Sequence, residues 1–400
     1  PVRRDLDITD TQFSLLTGLA FTFFYTIMGI PFAWVADRGS RRNLVVVSIA
    51  FWSVMTAACG MAGSFLTLFL ARIGVGVGEA GLSPAAYSMI ADSFPPAKRA
   101  RPLGVYAIGS IAGVGLALII GGAVVQWAIS APPVTLPLIG ELKSWQLAFL
   151  IVSLPGPLLV LAMLPVREPK RQEKPLADGE TGPSFTAFLR RRWAPFTLLS
   201  LGYSLIGVSV AAYLTWTPAF MMRSYGWEIG QVGAAYGVIL LIFSTSGILV
   251  GGWWSDLMAA KGVQDAVLRV AMAGAALALP FAVGAPFAPT GAIAITLIAI
   301  MSFAFGLTQG LPAPSLQAIA PNRLRARVMA LYLLIGNIIA FTVGPTGVAL
   351  LSDLWLKDPA KIGVAIGVMS AAIVPLGLLS LFAARKSFIA ASAAETAAQA

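Results

Sequence analysis

Eleven long apolar segments constrain this chain more than any other feature of its sequence. Each is close to the ~20 residues that an α-helix needs to cross the hydrocarbon core of a bilayer. Inside a bilayer every backbone N–H and C=O group must be satisfied without water, and a helix does so within one segment. We therefore predict an all-α polytopic membrane protein. The predicted spans are residues 12–36, 44–63, 66–91, 103–129, 145–164, 196–221, 230–255, 267–288, 291–318, 328–352 and 362–384.

The composition supports this class and excludes several others. Of the 400 residues, 58% are hydrophobic and only 11% are charged, against roughly 25% charged in soluble domains. The chain has no histidine and a single cysteine, Cys59. It therefore carries neither a disulfide framework nor a histidine-based zinc, haem or triad site. We expect no cofactor and no bound metal.

The basic residues indicate how the spans are oriented. A net charge of +10 suits a nucleic-acid-binding protein only until the charges are placed on the chain. Most of the 27 lysines and arginines lie in the loops on one side of the predicted spans, and such an excess marks the cytoplasmic side. The longest loop and the C-terminus are therefore predicted to be cytoplasmic, and no nucleic-acid partner is required.

A polar linker separates the spans into two groups. Residues 166–194 contain proline, glycine and both charge signs, as inter-domain connections do, and their end, FTAFLRRRW, can form a short interfacial helix. Five spans precede the linker and six follow it, so we expect that a first helix is missing before residue 1. The predicted organisation is an N-terminal bundle 1–165, the linker 166–194, a C-terminal bundle 195–384 and a disordered or loosely helical cytoplasmic tail 385–400.

The two groups of spans are related by an internal repeat. Residues 12–37 align without a gap on residues 231–256, and a second echo pairs Tyr106 with Tyr332. Parallel repeats of membrane helices joined by a long cytoplasmic loop are typical of a duplicated transporter rather than of a channel subunit or a receptor.

The turn after the first span resembles a known family signature. AWVADRGSRR, residues 33–42, is similar to the G-x-x-x-D-R-x-G-R-R loop of the major facilitator superfamily, with departures at Ala33 and Ser40. The R-x-x-x-G-x-G run that begins at Arg72 resembles the helix 4 motif of the same family. The resemblance covers essentially the whole chain. It implies a fold of two pseudo-symmetric six-helix bundles and secondary active transport by alternating access.

Two segments resemble one branch of that superfamily more narrowly. Residues 5–38 and 76–94 are similar to the spinster-type transporters around helices 2 and 4. This resemblance implies an amphipathic lipid of the sphingolipid or lysolipid class as substrate. We expect a monomer in the inner membrane of a bacterium, with the bilayer, protons and the amphipathic substrate as its partners.

Two ionisable residues, Arg72 and Glu79, lie well within the predicted spans. They are seven residues apart, ~10 Å along a helix axis, and project from nearly the same line, which Gly76 and Ser83 follow. Charge inside a bilayer is costly and usually faces a cavity or a partner. We therefore predict a polar stripe in which Arg72 binds an anionic group and Glu79 carries a proton, with room for a ligand at Gly76.

The same pair has a second interpretation, a buried ion pair that only fixes the helix. In the functional interpretation, protonation of Glu79 weakens its hold on Arg72, and an anionic group competes for the freed guanidinium. The opposite face of the helix carries Gly74, Gly78 and Gly81, and these small residues are predicted to pack closely against another helix.

Polar and aromatic residues in other spans can also line a cavity, although single polar residues often only bond across helices. The candidates for substrate contact are Tyr25, Trp216 and Asn337, followed by Ser110, Tyr203, Thr215 and Gln309.

Two aspartates, Asp37 and Asp256, end their spans at the predicted cytoplasmic face. The resemblance implies that such an aspartate helps to hold a gate between the halves, attracted by the positive N-terminus of a facing helix. The neighbouring arginines can extend this gate or serve only as topology charges. The candidate gating residues are Asp37, Arg38, Arg41, Arg42, Arg101 and Asp256.

Two other functions stay open, and a third is not expected. A proton-coupled exporter of amphipathic drugs or small organic anions would share this skeleton, and a passive scramblase would show no dependence on a pH gradient. An integral membrane enzyme needs a nucleophile–base pair or a metal site at the interface. The sequence offers none, so we predict no enzymatic activity.

Overall fold

The computed structural model describes residues 2–94, 100–132, 134–136, 140–171, 184–321 and 324–399. Within the helices it leaves a few side chains undescribed, those of Arg101 and Ser110 among them. Two predicted candidates, the gating residue Arg101 and the cavity residue Ser110, therefore lie outside the described side chains.

The described chain is built almost entirely of α-helices. In chain order they are α1 (Val2–Asp5), α2 (Asp10–Ser14), α3 (Ala20–Arg38), α4 (Arg41–Gly60), α5 (Phe65–Glu79), α6 (Leu82–Ser93), α7 (Ala100–Ser130), α8 (Ser144–Ser153), α9 (Pro155–Met163), α10 (Phe185–Arg191), α11 (Trp193–Tyr225), α12 (Ile229–Ile239), α13 (Thr245–Ala260), α14 (Ala266–Gly284), α15 (Gly291–Gln309), α16 (Pro312–Ala318), α17 (Arg325–Ile338), α18 (Gly344–Leu350) and α19 (Ile362–Gln399).

Within the described ranges, eleven helical segments are long and apolar enough to cross a membrane, and each matches one predicted span. Several are composites of two helices, such as α15 with α16, or contain π-helical turns, such as Leu15–Leu19 before α3 and Ile339–Val343 after α17. The spans are Asp10–Arg38, Arg41–Gly60, Phe65–Ile90, Ala112–Ser130, Ser144–Met163, Trp193–Tyr225, Ile229–Ala260, Ala266–Phe287, Gly291–Ala318, Arg327–Leu356 and Pro359–Glu395. The prediction of an eleven-span helical membrane protein is confirmed.

Local sequence signals set where several spans begin. Ser40 caps α4 by accepting a hydrogen bond from the backbone N–H of Asn43. Ser64 and Thr67 form a reciprocal capping box at the start of α5. Each cap satisfies backbone donors that a helix leaves free at its first turn, so these polar residues mark where their spans begin.

The chain divides into two compact units. The first comprises residues 1–177 and 228–237, and the second comprises residues 178–227 and 238–400. Along the chain, the first boundary between the two units lies inside the segment 166–194, which the sequence analysis assigns to the linker.

In the first unit, a seam of small residues joins α4 to α5. A methyl group added at Gly78 would lie 2.8 Å from the backbone nitrogen of Trp52, and one added at Gly74 would lie 2.5 Å from the sulfur of Met55. Gly81 faces α4 in the same way. The predicted close packing of this glycine face is confirmed, because real side chains do not approach so closely.

In the second unit, α11 packs along α19. The backbones meet where a Cβ added at Gly377 would lie 3.0 Å from the carbonyl oxygen of Gly202. Of the two states predicted for the tail 385–400, disordered or loosely helical, the structure has the helical one, since α19 continues to Gln399 and buries Phe388 and Ala391.

Of two further elements, one agrees with the prediction and one differs from it. The linker end is helical as expected, in α10, but the loop before α8 also holds a small antiparallel pair, β1 (Thr135–Leu136) and β2 (Gly140–Glu141). Two-residue strands carry too little alternation to be seen in a sequence.

Candidate functional site

The segment that carries Arg72 and Glu79 is one membrane span made of two helices. Glu79 is the last residue of α5, a turn follows at Ala80 and Gly81, and Ser83 lies in the first turn of α6. The single predicted helix 66–91 is thus interrupted by a short turn beside its acidic residue, where Ala80 and Gly81 keep right-handed helical backbone angles.

Arg72 contacts the neighbouring π-helical turn rather than an acid. Its Nε donates to the carbonyl oxygen of Leu16 at 3.2 Å, and its guanidinium lies 5.3 Å from the centre of the Phe21 ring. In an α-helix the N–H of Ala20 would donate to Leu16, but here it donates to Leu15. The π-turn thus leaves the Leu16 carbonyl open to Arg72. Among the described residues, no other hydrogen bond reaches this guanidinium.

Glu79 is half-buried and stands apart from Arg72. Within the described part of the chain, no ion pair of 4.0 Å or less joins the two residues, and Glu79 has no hydrogen-bond partner. The interpretation as a locked structural ion pair therefore does not describe this structure. The expectation that Glu79 holds Arg72 directly is also wrong here, because the guanidinium turns toward α3.

Gly76 requires a correction. A methyl group at this position would lie 2.5 Å from the carbonyl oxygen of Phe21, so the residue is closed off by the backbone of α3. The expected room for a ligand at Gly76 is absent. Gly76 instead allows α5 to approach α3 closely, which brings Arg72 to the Leu16 carbonyl.

Ser83 and Tyr25 come together as members of one polar aromatic cluster. The Tyr25 hydroxyl lies 3.5 Å from the Ser83 Oγ, and the Tyr106 hydroxyl lies 3.4 Å from the same atom. Tyr87 packs edge-on against Tyr106, with ring centres 4.8 Å apart. The sequence interpretation did not assign Tyr106 to a site, although its position in the internal repeat, opposite Tyr332, was a usable signal.

The two candidates of the second unit have different environments. Trp216 is 1% exposed, and its indole N–H donates to the carbonyl oxygen of Pro345 at 2.9 Å. It is a core residue of the unit in this structure, which corrects its assignment as a substrate contact. Asn337, by contrast, lines a cavity of about 350 Å³ within the second unit, together with Tyr203 and Gln309.

Arg41 is the centre of a buried charge cluster in the first unit. Its side chain is 1% exposed and pairs with Asp92 and, at 2.8 Å, with Glu168. It also donates to the Ser88 hydroxyl and to the carbonyl of Pro169. Four of the five guanidinium N–H groups are thus bonded inside one unit, and the gating role of Arg41 stays a prediction.

Glu168 ties the start of the linker to the beginning of α4. Burial alone would raise the pKa of Glu168. The hydrogen bonds from the backbone N–H of Arg42, from Arg41 and from Ser40 outweigh it and hold that pKa below its usual range. The carboxylate is therefore kept ionised at the positive N-terminus of the helix.

Of the other gating candidates with described side chains, three are exposed and Arg42 is half-buried. Asp37 and Asp256 are exposed, and Arg38 is exposed with its guanidinium 4.2 Å from the centre of the Trp34 ring. The Arg42 side chain donates to Asn43 and to a backbone carbonyl. Their gating role stays a prediction.

No group of three or more His, Cys, Asp or Glu side chains that could hold a metal ion occurs in the described ranges. The chemistry that the site offers is therefore carried by one guanidinium, one carboxyl group and a set of hydroxyl and amide groups.

Comparison with known proteins places the chain in a family. Residues 1–345 match the model of the Major Facilitator Superfamily. An MFS-type efflux pump of Mycolicibacterium smegmatis is 30% identical over 362 residues, which is 90% of this chain and 80% of that protein. A hexuronate transporter of Bacillus subtilis is 28% identical over 323 residues, 77% of this chain and 71% of that protein.

A solved structure agrees with this placement. A bacterial homologue of the human lysosomal transporter spinster, in an inward-facing and unoccupied conformation, superposes with a TM-score of 0.78 and 28% identity. The match covers 98% of this chain and 91% of that one. This chain is a multi-pass membrane transporter and belongs to the major facilitator superfamily.

Proposed function

We propose that this transporter couples proton movement to the transport of an amphipathic anion of the lysolipid or sphingolipid class, with Arg72 binding the anionic group and Glu79 carrying the proton. The observation that carries the proposal is the state of these two side chains. Arg72 uses one of its five N–H donors on Leu16, and Glu79 is half-buried in the same span without a hydrogen-bond partner in the described chain.

The coupling follows from charge rather than from a direct pair. Two unit charges ~10 Å apart along a helix still interact in a medium of low dielectric constant. Protonation of Glu79 removes a negative charge from the helix that carries Arg72, so the guanidinium attracts a phosphate or carboxylate more strongly. Loss of the proton reverses this preference and favours release of the substrate.

The lipid class is supported by the likeness to the spinster homologue and by the apolar character of the spans. A second candidate, a small organic acid, is supported by the hexuronate transporter among the relatives. Export of amphipathic drugs has the support of the efflux pump. A phosphate-bearing lipid, an organic acid and an anionic drug each present an anion that Arg72 can bind with two parallel hydrogen bonds, whereas a cationic drug does not.

The position in the cell and the gate belong to the same proposal. We place the protein in a bacterial inner membrane as a monomer, with the linker and the C-terminus in the cytoplasm, because the basic loops lie on that side. Asp37 and Asp256 act at the cytoplasmic ends of their spans, where each can interact with a helix N-terminus.

The test is transport into liposomes under an imposed pH gradient. The labelled probes are lauroyl lysophosphatidate, glucuronate and a cationic dye. We expect the lysophosphatidate to move with the gradient. Arg72→Ala should reduce uptake at least tenfold, since a charge-assisted hydrogen bond is worth about 1.5–3 kcal/mol. Glu79→Gln should abolish the effect of the gradient while leaving exchange of the probe intact.

Matched controls remove the same charges elsewhere. Arg4 and Glu141 are exposed, so Arg4→Ala and Glu141→Gln should transport like the parent protein. Gradient-driven uptake that survives in Glu79→Gln would disprove the proton role. Movement of glucuronate alone, or of the dye alone, would select the corresponding alternative substrate.

A further inference from the structure

Three consecutive arginines stand directly before the first span of the second unit. Arg190, Arg191 and Arg192 lie at the junction of α10 and α11, and the span begins at the next residue, Trp193. Within the described part of the chain, no hydrogen bond, ion pair or ring contact joins any of these three guanidinium groups to another group. We call residues 190–193 the arginine patch.

Other arginines on the basic side of the spans are bonded inside the fold. Arg41, Arg269 and Arg385 pair with carboxylates, and Arg171 donates to two backbone carbonyls. A charge that only sets topology, or only holds the fold, needs no free donors. The patch keeps all of its guanidinium N–H groups unused by the described chain, so they are available to a partner from outside the protein.

The short helix α10 fixes the patch on the surface of its unit. Phe188 is 6% exposed, and Phe185 stacks on it with ring centres 6.4 Å apart. A helix turns by about 100° per residue, so Arg190 projects from the side opposite Phe188. Arg190 and Arg191 are both exposed. The helix is therefore amphipathic, with an aromatic side held by the unit and a basic side that faces outward.

Trp193 indicates the depth of the patch in the bilayer. It is 66% exposed and is the first residue of the span Trp193–Tyr225. Exposed tryptophans at span ends are enriched at the level of the lipid head groups, where the amphipathic ring meets both hydrocarbon and water. The arginines, one to three residues before it, therefore lie at the level of the lipid phosphates.

We propose that the arginine patch binds the head group of an anionic phospholipid of the surrounding leaflet, such as phosphatidylglycerol. The guanidinium groups donate to the phosphodiester oxygens, and Trp193 lies against the upper part of an acyl chain. Phosphatidylcholine has the same phosphate, but its choline cation cancels the net charge that attracts the arginines. This lipid is a bound partner of the fold, so the inference is independent of the cargo proposed for Arg72 and Glu79.

The test is fluorescence quenching in phosphatidylcholine nanodiscs that contain a small fraction of a 5-doxyl phospholipid. The nitroxide lies near the top of the acyl chain and quenches tryptophans close to it. The chain has ten tryptophans, so the signal of Trp193 is taken as the difference between the parent and Trp193→Phe. We expect half-maximal quenching at a mole fraction roughly fivefold or more lower for doxyl phosphatidylglycerol than for doxyl phosphatidylcholine, the value of one arginine near an anionic surface.

The triple variant R190Q/R191Q/R192Q removes the charges and keeps polar side chains of similar length. Measured against the same variant with Trp193→Phe, it should require equal mole fractions of the two probes. Because the three side chains have no partner in the described chain, its thermal unfolding should match that of the parent. Equal mole fractions of the two probes in the parent protein would overturn the inference.

A matched control removes three positive charges from the same predicted side of the membrane. Arg167, Lys170 and Lys261 are exposed, and R167Q/K170Q/K261Q has the same net charge as the patch variant. It should keep the preference for phosphatidylglycerol. Equal loss of preference in both triple variants would show a general attraction to the charged surface and no site.

A soluble competitor separates a lipid head group from a free phosphate. Millimolar glycerol 1-phosphate carries the phosphate without acyl chains, and we expect it to leave the quenching of Trp193 unchanged. Release of the lipid probe by this competitor would assign the patch to a soluble phosphate ligand and overturn the lipid assignment.

Discussion

At the scale of single residues, the charged side chains in this molecule differ by how completely they are partnered. Arg41 is buried with two carboxylates, a hydroxyl and a carbonyl, which is the state of a charge that holds structure together. Arg72 has one carbonyl, and Glu79 has no hydrogen bond in the described chain. A charge kept in a membrane span with free hydrogen-bonding capacity is what a transport site requires.

Asp265 is a buried carboxylate whose contribution to stability should depend on pH. It precedes α14, is 1% exposed, and accepts hydrogen bonds from Arg269 at 2.7 Å and Arg385 at 2.5 Å. Burial raises the pKa of Asp265, but the hydrogen bonds and charges of the two arginines outweigh it and hold that pKa below its usual range. The pair with Arg385 clips α14 to α19.

The direction in which stability changes with pH follows from the lowered pKa of Asp265. The clip stabilises the fold at any pH above the ordinary aspartate pKa of about 3.9, and this contribution is lost as the pH falls through the lower pKa of the folded state. We expect Asp265→Asn to be less stable than the parent by about 1–3 kcal/mol at pH 7, the value of hydrogen bonds to a charged group. The difference in Tm should shrink steadily below pH 4. A constant difference down to pH 3 would show that the carboxylate charge contributes nothing.

At the scale of elements, close helix approach decides where the site residues point. Gly78 brings α5 against α4 and Gly76 brings it against α3, so the polar residues of α5 are held between helices rather than in lipid. Because lipid is as apolar as a leucine side chain, contacts of this kind rather than hydrophobic burial hold membrane helices together.

Two glycine substitutions test this packing. Gly78→Ala would place a methyl group 2.8 Å from the Trp52 backbone, whereas a methyl group at Gly29, inside α3, meets nothing within 4 Å. Gly78→Ala should therefore destabilise the protein by about 1–3 kcal/mol. Gly29→Ala should be neutral or stabilising by up to ~1 kcal/mol, because alanine is the better helix former. Thermal unfolding in detergent measures the stability of both variants. Equal shifts in Tm would contradict the close packing of α5 against α4 at Gly78.

At the scale of the whole molecule, the spans could be predicted because hydropathy records membrane crossing directly. The faces of the spans could be predicted only in part. Helical periodicity separated Gly78 from Arg72 correctly, but it could not show that Gly76 meets a backbone or that Trp216 is a core residue. Those facts depend on which helix lies opposite, and on π-helical turns that shift the register of residues such as Leu16. Tyr106 and Tyr332 were visible only through the repeat.

The repeat itself predicts that Asp37 and Asp256 have equivalent roles in the two units. Both are exposed at the ends of their spans and away from the substrate candidates in sequence. If they act on the gate, Asp37→Asn and Asp256→Asn should each slow transport roughly fivefold or more, the size of an ordinary conformational coupling. The Kd of the transported probe at equilibrium should change little.

Asp7→Asn, at an exposed position before the first span, is the control. A rise in Kd without a change in transport rate would place these aspartates in the binding site instead, since a gate alters how often the molecule cycles and a binding residue alters how well it holds its substrate.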